Sequence, residues 1–208
     1  VDVSAPGVNR WGVACHEEAL WLFCDDTPLI ATSDLPLAGR HNVENCLWAL
    51  ALVEPWIEPR HAAQLLVGFQ GLPHRFESLS GPTGIRCIND SKATNVGATV
   101  AALEGFARDG TLILIAGGDS KHADLAPLGE VMRGRAQLLV TLGQDAAALN
   151  EAASASGVLW RQVATMEEAV STAFEHAKAG DTVLLSPACA SLDMYANFAA
   201  RGDHFKEL

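Results

Sequence analysis

Ile88 to Gly97 reads I-N-D-S-K-A-T-N-V-G, a short apolar run that stops in a cluster of small, polar and charged groups. Ile85 to Ile88 has the look of a buried strand. Val96, Val100, Leu103 and Phe106 then recur at helical spacing, which puts the polar cluster on a strand-to-helix loop. In an open α/β sheet such loops face a crevice, and the following helix points free N–H groups and a positive dipole end into it. Thr94 or Asn95 can cap that helix, Asp90 can accept ribose hydroxyls, and Lys92 supplies a point charge suited to phosphate. Taken alone, the segment is equally well explained as a capped loop with a solvated lysine.

Working outward, the same alternation continues to the end of the chain. Leu112 to Ala116, Gln137 to Leu142 and Thr182 to Leu185 are short apolar runs of the kind buried parallel strands make. Helical stretches separate them, over about Asn95 to Ala107, Leu125 to Arg133, Asp145 to Ala155 and Met166 to Lys178. Thr165 and Glu168 form a capping-box pair before the last. Right-handed crossovers then predict an α/β fold, a Rossmann-like, doubly wound, mostly parallel sheet between helical layers. Its strand ends carry N-D-S-K-A-T-N, A-G-G-D-S-K (Ala116 to Lys121) and S-P-A-C-A-S-L-D (Ser186 to Asp193). Gly117 and Gly118 permit close backbone approach, Lys121 can pair with a carboxylate, and Ser191, placed at the start of a final helix, can serve a second one. A dicarboxylate held between Lys121 and Ser191 is the ligand this rim suits, against the alternative that its serines only cap helices. No G-x-G-x-x-G or Walker loop, metal motif or Ser-His-Asp order is present.

Upstream, alternating segments at Arg10 to Ala14 and Ala19 to Phe23, separated by acidic turns, predict strands of an antiparallel or mixed sheet edge. From Gly39 the sequence G-R-H-N-V-E-N-C-L-W-A-L-A-L-V turns into a helix over about Val43 to Val53, apolar on most faces and therefore expected to be buried. His41 and Asn42 precede it and Asn45 lies in its first turn, where they can face a ligand or where Asn42 can simply cap. Pro59 opens a second helix with Ala62, Leu65, Leu66 and Phe69 as one buried stripe. Proline and glycine in G-L-P-H-R-F-E, Gly71 to Glu77, mark a boundary, giving units of 1–71 and 72–208. The opening V-D-V-S-A-P-G offers nothing for the first strands to pair with, so we expect the chain to be cut from a longer one.

Composition narrows the function classes. The net charge of −11 comes without any basic stretch, which argues against a nucleic-acid surface. Up to Leu72 there are 9 acids against 3 arginines, and beyond it 16 acids against 11 bases, so the deficit is spread along the chain. Anion binding must therefore rest on a few focused cations, and only Lys92, Lys121, Lys178 and Lys206 are lysines. No run of about 18 apolar residues and no signal-peptide pattern occurs, so no membrane partner and a cytoplasmic location are expected. The five cysteines lack C-x-x-C spacing and fit buried free thiols.

Five segments in order, G-R-H-N-V-E-N (Gly39 to Asn45), G-L-P-H-R-F-E, N-D-S-K-A-T-N (Asn89 to Asn95), G-G-D-S-K and S-P-A-C-A-S-L-D followed by Asn197-Phe198, resemble the Mur ligases of peptidoglycan synthesis, most closely the glutamate-adding members. The resemblance covers roughly residues 39 to 205. It implies an ATP-dependent amide ligase in which the carboxylate of UDP-N-acetylmuramoyl-L-alanine is phosphorylated and the amine of D-glutamate attacks the acyl phosphate. It further implies that Asn42, Asn45, Arg75 and Asp90 hold the nucleotide, with Asn45 at adenine and Asp90 at ribose. Arg75 and Lys92 would act in catalysis, and Thr94, Lys121, Ser191, Leu192 and Phe198 would hold glutamate. In that family the phosphate loop, the Mg2+ ligands and the UDP-binding domain precede the part present here, and this chain has no lysine before Lys92. Residues 1–71 would then be the C-terminal portion of a central ATP-binding domain and 72–208 the glutamate-binding domain, a monomer inactive by itself. An L-glutamate-preferring muropeptide ligase and a non-catalytic glutamate-binding module are the alternatives.

Overall fold

The computed structural model describes residues 11–35, 40–69, 71–82, 84–106 and 108–208. Arg10, the V-D-V-S-A-P-G opening, most of the segment leading to Arg40, and Ala107 at the expected end of a helix lie outside the described residues. The chain divides into two compact units, Val1–Gly71 and Leu72–Leu208.

In the first unit, β1 (Trp11–His16), β2 (Ala19–Cys24) and β3 (Thr27–Ala31) form an antiparallel sheet in the order β1-β2-β3. The two-residue turn between β1 and β2 holds Glu17 and Glu18 at φ 51 and 64, as a primed hairpin turn demands of both central residues. A 3-10 turn (Thr32–Asp34), α1 (Arg40–Val53) and α2 (Pro59–Val67) follow. Two sequence expectations fail here. Among the described side chains of α1 only Cys46, Leu47 and Leu50 are buried, in one core with Trp11, Leu22 and Ile30, while Trp48 is 55% and Leu52 68% exposed. In α2 the buried side is Ala62 and Ala63, with Leu66 partly covered; Leu65 and, beyond the end of the helix, Phe69 are exposed. Apolar content set the first expectation and apolar spacing the second, whereas a helix can bury only the faces that meet a neighbour.

In the second unit the elements are β4 (Glu77–Leu79), β5 (Arg86–Asn89), α3 (Val96–Glu104), β6 (Leu112–Gly117), α4 (Ala126–Met132), β7 (Ala136–Leu142), α5 (Ala146–Ala155), β8 (Leu159–Gln162), α6 (Met166–His176), β9 (Thr182–Leu185) and α7 (Phe198–Glu207). The six strands run in the order β4-β5-β9-β6-β7-β8, parallel except for β4. One face of the sheet is covered by α3, α4 and α5 through Leu103, Leu128, Met132 and Leu149. The other is covered by α6 and α7 through Met166, Val170, Ala173 and Phe205. The mixed, parallel-dominated and doubly wound sheet predicted from sequence is therefore present. Strand β8, which the sequence did not signal, is an exposed edge whose four residues lack buried positions.

This strand order positions the site. The chain leaves β5 and β6 for helices on one face, but leaves β9, which lies between them, for α7 on the other. Adjacent strands whose exits diverge open a crevice at their carboxyl ends. Asn89, Gly117 and Leu185 end those three strands side by side.

Candidate functional site

The loop after β5 is built on buried hydrogen bonds. Asn89 is fully buried, and its amide nitrogen lies 3.0 Å from His74 Nδ1 and donates to the Gly202 carbonyl at 3.1 Å. Its Oδ1 accepts the Ser91 N–H at 3.1 Å, closing the turn. Asp90 follows with one bond on each oxygen, accepting from the Phe76 N–H at 3.1 Å and the Ser186 hydroxyl at 2.8 Å. Burial pushes the Asp90 carboxyl up to about 6, although these two bonds and the nearby Arg75 charge pull the other way. Asn95, rather than Thr94, caps α3, its Oδ1 accepting from the Ala98 N–H at 2.9 Å.

The loops after β6 and β9 are zipped together. Asp119 and Ala190 form an antiparallel bridge, with N–H to carbonyl distances of 3.0 and 2.8 Å. Glycine is required here: at Gly118 (φ 124) a Cβ would sit 2.0 Å from the Ala190 carbonyl oxygen, and at Gly117 (φ 150) 1.8 Å from that of Leu142. Ser120 donates both its N–H and its hydroxyl to Asp145 Oδ2 at 2.7 Å, and these bonds hold the Asp145 carboxyl below its usual range. The Lys121 backbone is left-handed (φ 55) and its N–H donates to Asp119 Oδ1 at 2.8 Å.

Beneath the three loops lies Arg201, 3% exposed, a residue the sequence did not single out. Its Nε donates to Ser91 Oγ at 3.0 Å, Nη2 to the Ser91 carbonyl at 2.9 Å, and Nη1 to the Gly117 and Cys189 carbonyls at 3.2 Å each. One guanidinium thus ties the ends of β5, β6 and β9. Among the described residues no carboxylate pairs with it, and burial draws it down to about 10. The available signal was its position three residues after Phe198, on the same side of the final helix.

Expected residues fall as follows. Asp90, Lys92, Thr94, Lys121, Ser191, Leu192 and Phe198 lie on or next to these loops, and Lys92 Nζ sits 5.1 Å from the centre of the Phe198 ring. Thr94 Oγ1, Lys121 Nζ, Ser191 Oγ and the Arg75 guanidinium have no hydrogen-bond or ion-pair partner among the described residues. Leu192 is 70% exposed. Ser191 does not begin the final helix. Its carbonyl closes a single turn by accepting from Met194 and Tyr195, and the helix starts at Phe198, capped by Asn197. In the first unit, Asn42 and Asn45 face each other within α1 at 3.4 Å, and since α1 begins at Arg40 Asn42 is not its cap. Among the described residues no group of three His, Cys, Asp or Glu is arranged to hold a metal, and no helix is long and apolar enough to cross a membrane.

The family model described as "Mur ligase, glutamate ligase domain" matches residues 74–189, more than half of the chain. The chain belongs to the Mur ligase family. Among its Mur ligase relatives, UDP-N-acetylmuramoylalanine–D-glutamate ligase of Nitrosococcus oceani is 51% identical over 203 residues, covering 97% of this chain and 45% of that protein. The enzyme of the same name from Pectobacterium atrosepticum is 44% identical, covering 100% of this chain and 46% of that one. The chain thus spans a little under half the length of these relatives. The solved UDP-N-acetylmuramate-alanine ligase of Thermotoga maritima shares the fold, with a TM-score of 0.67 at 14% identity, over 95% of this chain and 45% of that one. So does a folylpolyglutamate synthase of Mycobacterium tuberculosis complexed with ADP and AMPPCP, with a TM-score of 0.64 at 16% identity, over 97% and 49%.

Proposed function

We propose that this chain is the glutamate-adding portion of a ligase that joins D-glutamate to UDP-N-acetylmuramoyl-L-alanine at the expense of ATP. The observation that carries this is the rim itself: a lysine, a threonine and a serine whose polar groups have no partner among the described residues stand on loops locked by Arg201, and the buried Asp90 carboxylate shares the loop of the threonine. Lys121 and Ser191 are assigned to the carboxylates of glutamate, with Thr94, Leu192 and Phe198 around its chain. Charge-assisted bonds to a rigid anion are strong, and a rim that does not reorganise holds the amine in line for attack.

ATP would supply the phosphoryl group that activates the acceptor carboxylate. Asp90 suits a ribose, because each of its oxygens spends one lone pair on the protein and keeps another. Arg75, exposed and without a hydrogen-bond or ion-pair partner for its guanidinium among the described residues, suits the phosphates and is assigned there with Lys92, while Asn42 and Asn45 are assigned to the base. Mg2+ is assigned no ligand among the described residues of this chain. Residues 1–71 are assigned to the C-terminal portion of the ATP-binding domain. Trp48 (55%), Leu52 (68%) and Trp56 (80%) support this, because such exposed apolar surface suits cover by further parts of that domain. The isolated chain is accordingly expected to lack ligase activity and to act in the cytoplasm as part of a monomer.

In the ligase carrying this segment, Lys121→Ala and Ser191→Ala are each expected to raise KM for D-glutamate by about 10- to 100-fold, as loss of a charge-assisted bond does, with KM for ATP little changed. Unchanged glutamate kinetics with impaired ATP binding would reverse the two assignments. L-glutamate competing as well as D-glutamate would remove the stereochemical part of the proposal.

A further inference from the structure

One hydrogen-bonded chain in the second unit is not used by the assignments above. The Tyr195 hydroxyl lies 2.9 Å from His204 Nδ1, and His204 Nε2 lies 3.3 Å from Glu167 Oε1. The two rings are in tilted contact, with centroids 5.8 Å apart. A carboxylate at Nε2 favours the tautomer with its proton there, leaving Nδ1 to accept the tyrosine proton. Glu167 is held in the first turn of α6, where the helix dipole and the Thr165 cap favour its negative charge. The chain therefore starts from an exposed anion on α6, crosses α7 and ends on the ring of Tyr195.

Tyr195 lines a small depression together with Gly117, Ser191 and Arg201. The Tyr195 N–H donates to the Ser191 carbonyl at 2.7 Å, and the Met194 N–H to the same oxygen at 3.1 Å. Ser191 is thus presented by a single turn that no following helix supports, since α7 begins only at Phe198. Two side chains of the turn reach outside it: Asp193 Oδ2 accepts the Gln144 N–H at 2.9 Å, and the Tyr195 hydroxyl meets His204.

We infer that Tyr195, His204 and Glu167 form a positioning relay that fixes the Ser191–Asn197 turn and so sets how Ser191 meets an anionic ligand. This rests on the assignment of Ser191 to glutamate. None of the three residues touches the ligand in this account. They act through the turn.

Amide exchange and D-glutamate titration of this chain by NMR test it. Tyr195→Phe and His204→Ala are expected to speed exchange at Met194 and Tyr195 by about 3- to 10-fold, the worth of one hydrogen bond, and to weaken D-glutamate binding by a similar factor. Amides of Ile113 and Leu114 should keep their rates. His204→Asn, whose amide replaces Nδ1 toward the tyrosine, should recover most of both losses. Exchange within twofold of the parent in both variants overturns the relay, and so does equal acceleration at Ile113 and Leu114, which marks a general loss of stability. Faster exchange with unchanged glutamate affinity overturns the positioning role. Ser191→Ala separates the two ideas: if it leaves glutamate binding untouched, the assignment of Ser191 fails, while the exchange rates still judge the relay.

Discussion

Replacing Asp90 by asparagine should make the protein more stable and less able to serve a nucleotide. The Asp90 carboxyl is 9% exposed, and burial raises it from an ordinary 3.8 to about 6. At about 1.4 kcal/mol per pH unit, that difference corresponds to about 3 kcal/mol. A carboxyl that binds its proton more tightly in the folded state favours folding fully below about pH 3.8. That contribution is lost as the pH rises through about 6, above which the buried charge is a burden. Asparagine carries no charge, can still accept from the Phe76 N–H, and can donate to the Ser186 hydroxyl. Asp90→Asn is therefore expected to stabilise the second unit by about 1–3 kcal/mol at pH 8, with the gain fading toward pH 4. Urea unfolding followed through the amide resonances of β6 at pH 8, 6 and 4.5 measures this without interference from the first unit. Destabilisation at pH 8, or a difference between parent and variant that ignores pH, would refute the claim that the carboxylate is held there against its solvation.

Other perturbations address the architecture of the rim. Gly118→Ala should cost about 2–4 kcal/mol and break the Asp119–Ala190 bridge, because the added Cβ meets the Ala190 carbonyl at 2.0 Å with φ at 124; a variant with parent stability would contradict the close approach. Arg201→Leu should lower stability by about 3 kcal/mol or more by stranding the Ser91, Gly117 and Cys189 carbonyls, read as a shifted urea midpoint with unchanged slope. Asn95→Ala should cost about 1 kcal/mol and Asn95→Gly only a few tenths, since only the cap of α3 is lost; equal losses would show that the side chain does something else.

The sheet of the second unit was legible because β5, β6, β7 and β9 are apolar runs that stop abruptly in glycine or small polar residues, and buried parallel strands have that signature. The cap at Thr165 was legible for a local reason, its hydroxyl accepting the Glu168 N–H at 3.2 Å as the spacing requires, whereas that of α3 was narrowed only to Thr94 or Asn95. Elements whose existence depends on neighbours were not legible. β8 has no buried residue and is a strand only because β7 lies beside it. The outer faces of α1 and α2 carry large apolar residues of their own, Trp48 and Leu52 on one and Leu65 on the other, so apolar content alone could not say which side is covered. In the site, Asp90, Lys121 and Ser191 announced themselves by sitting in polar clusters at strand ends. Arg201 did not, because its role comes from carbonyls more than eighty and a hundred residues away in sequence, which no local pattern encodes.

The position of β9 also bears on how the molecule comes into being. Thr182 pairs with both Arg86 and Leu112, so β5 and β6 never contact each other and the seam between them stays open until the last strand arrives. During synthesis β6, β7 and β8 can pair with one another, but β5 must wait to join them for a segment made about a hundred residues later. Pairings of such long sequence separation form slowly and leave strand edges bare in the meantime. Refolding of this chain should be paced by that insertion, and a lesion that removes β9 takes away the middle of the sheet, unlike one that removes β8, which trims a margin.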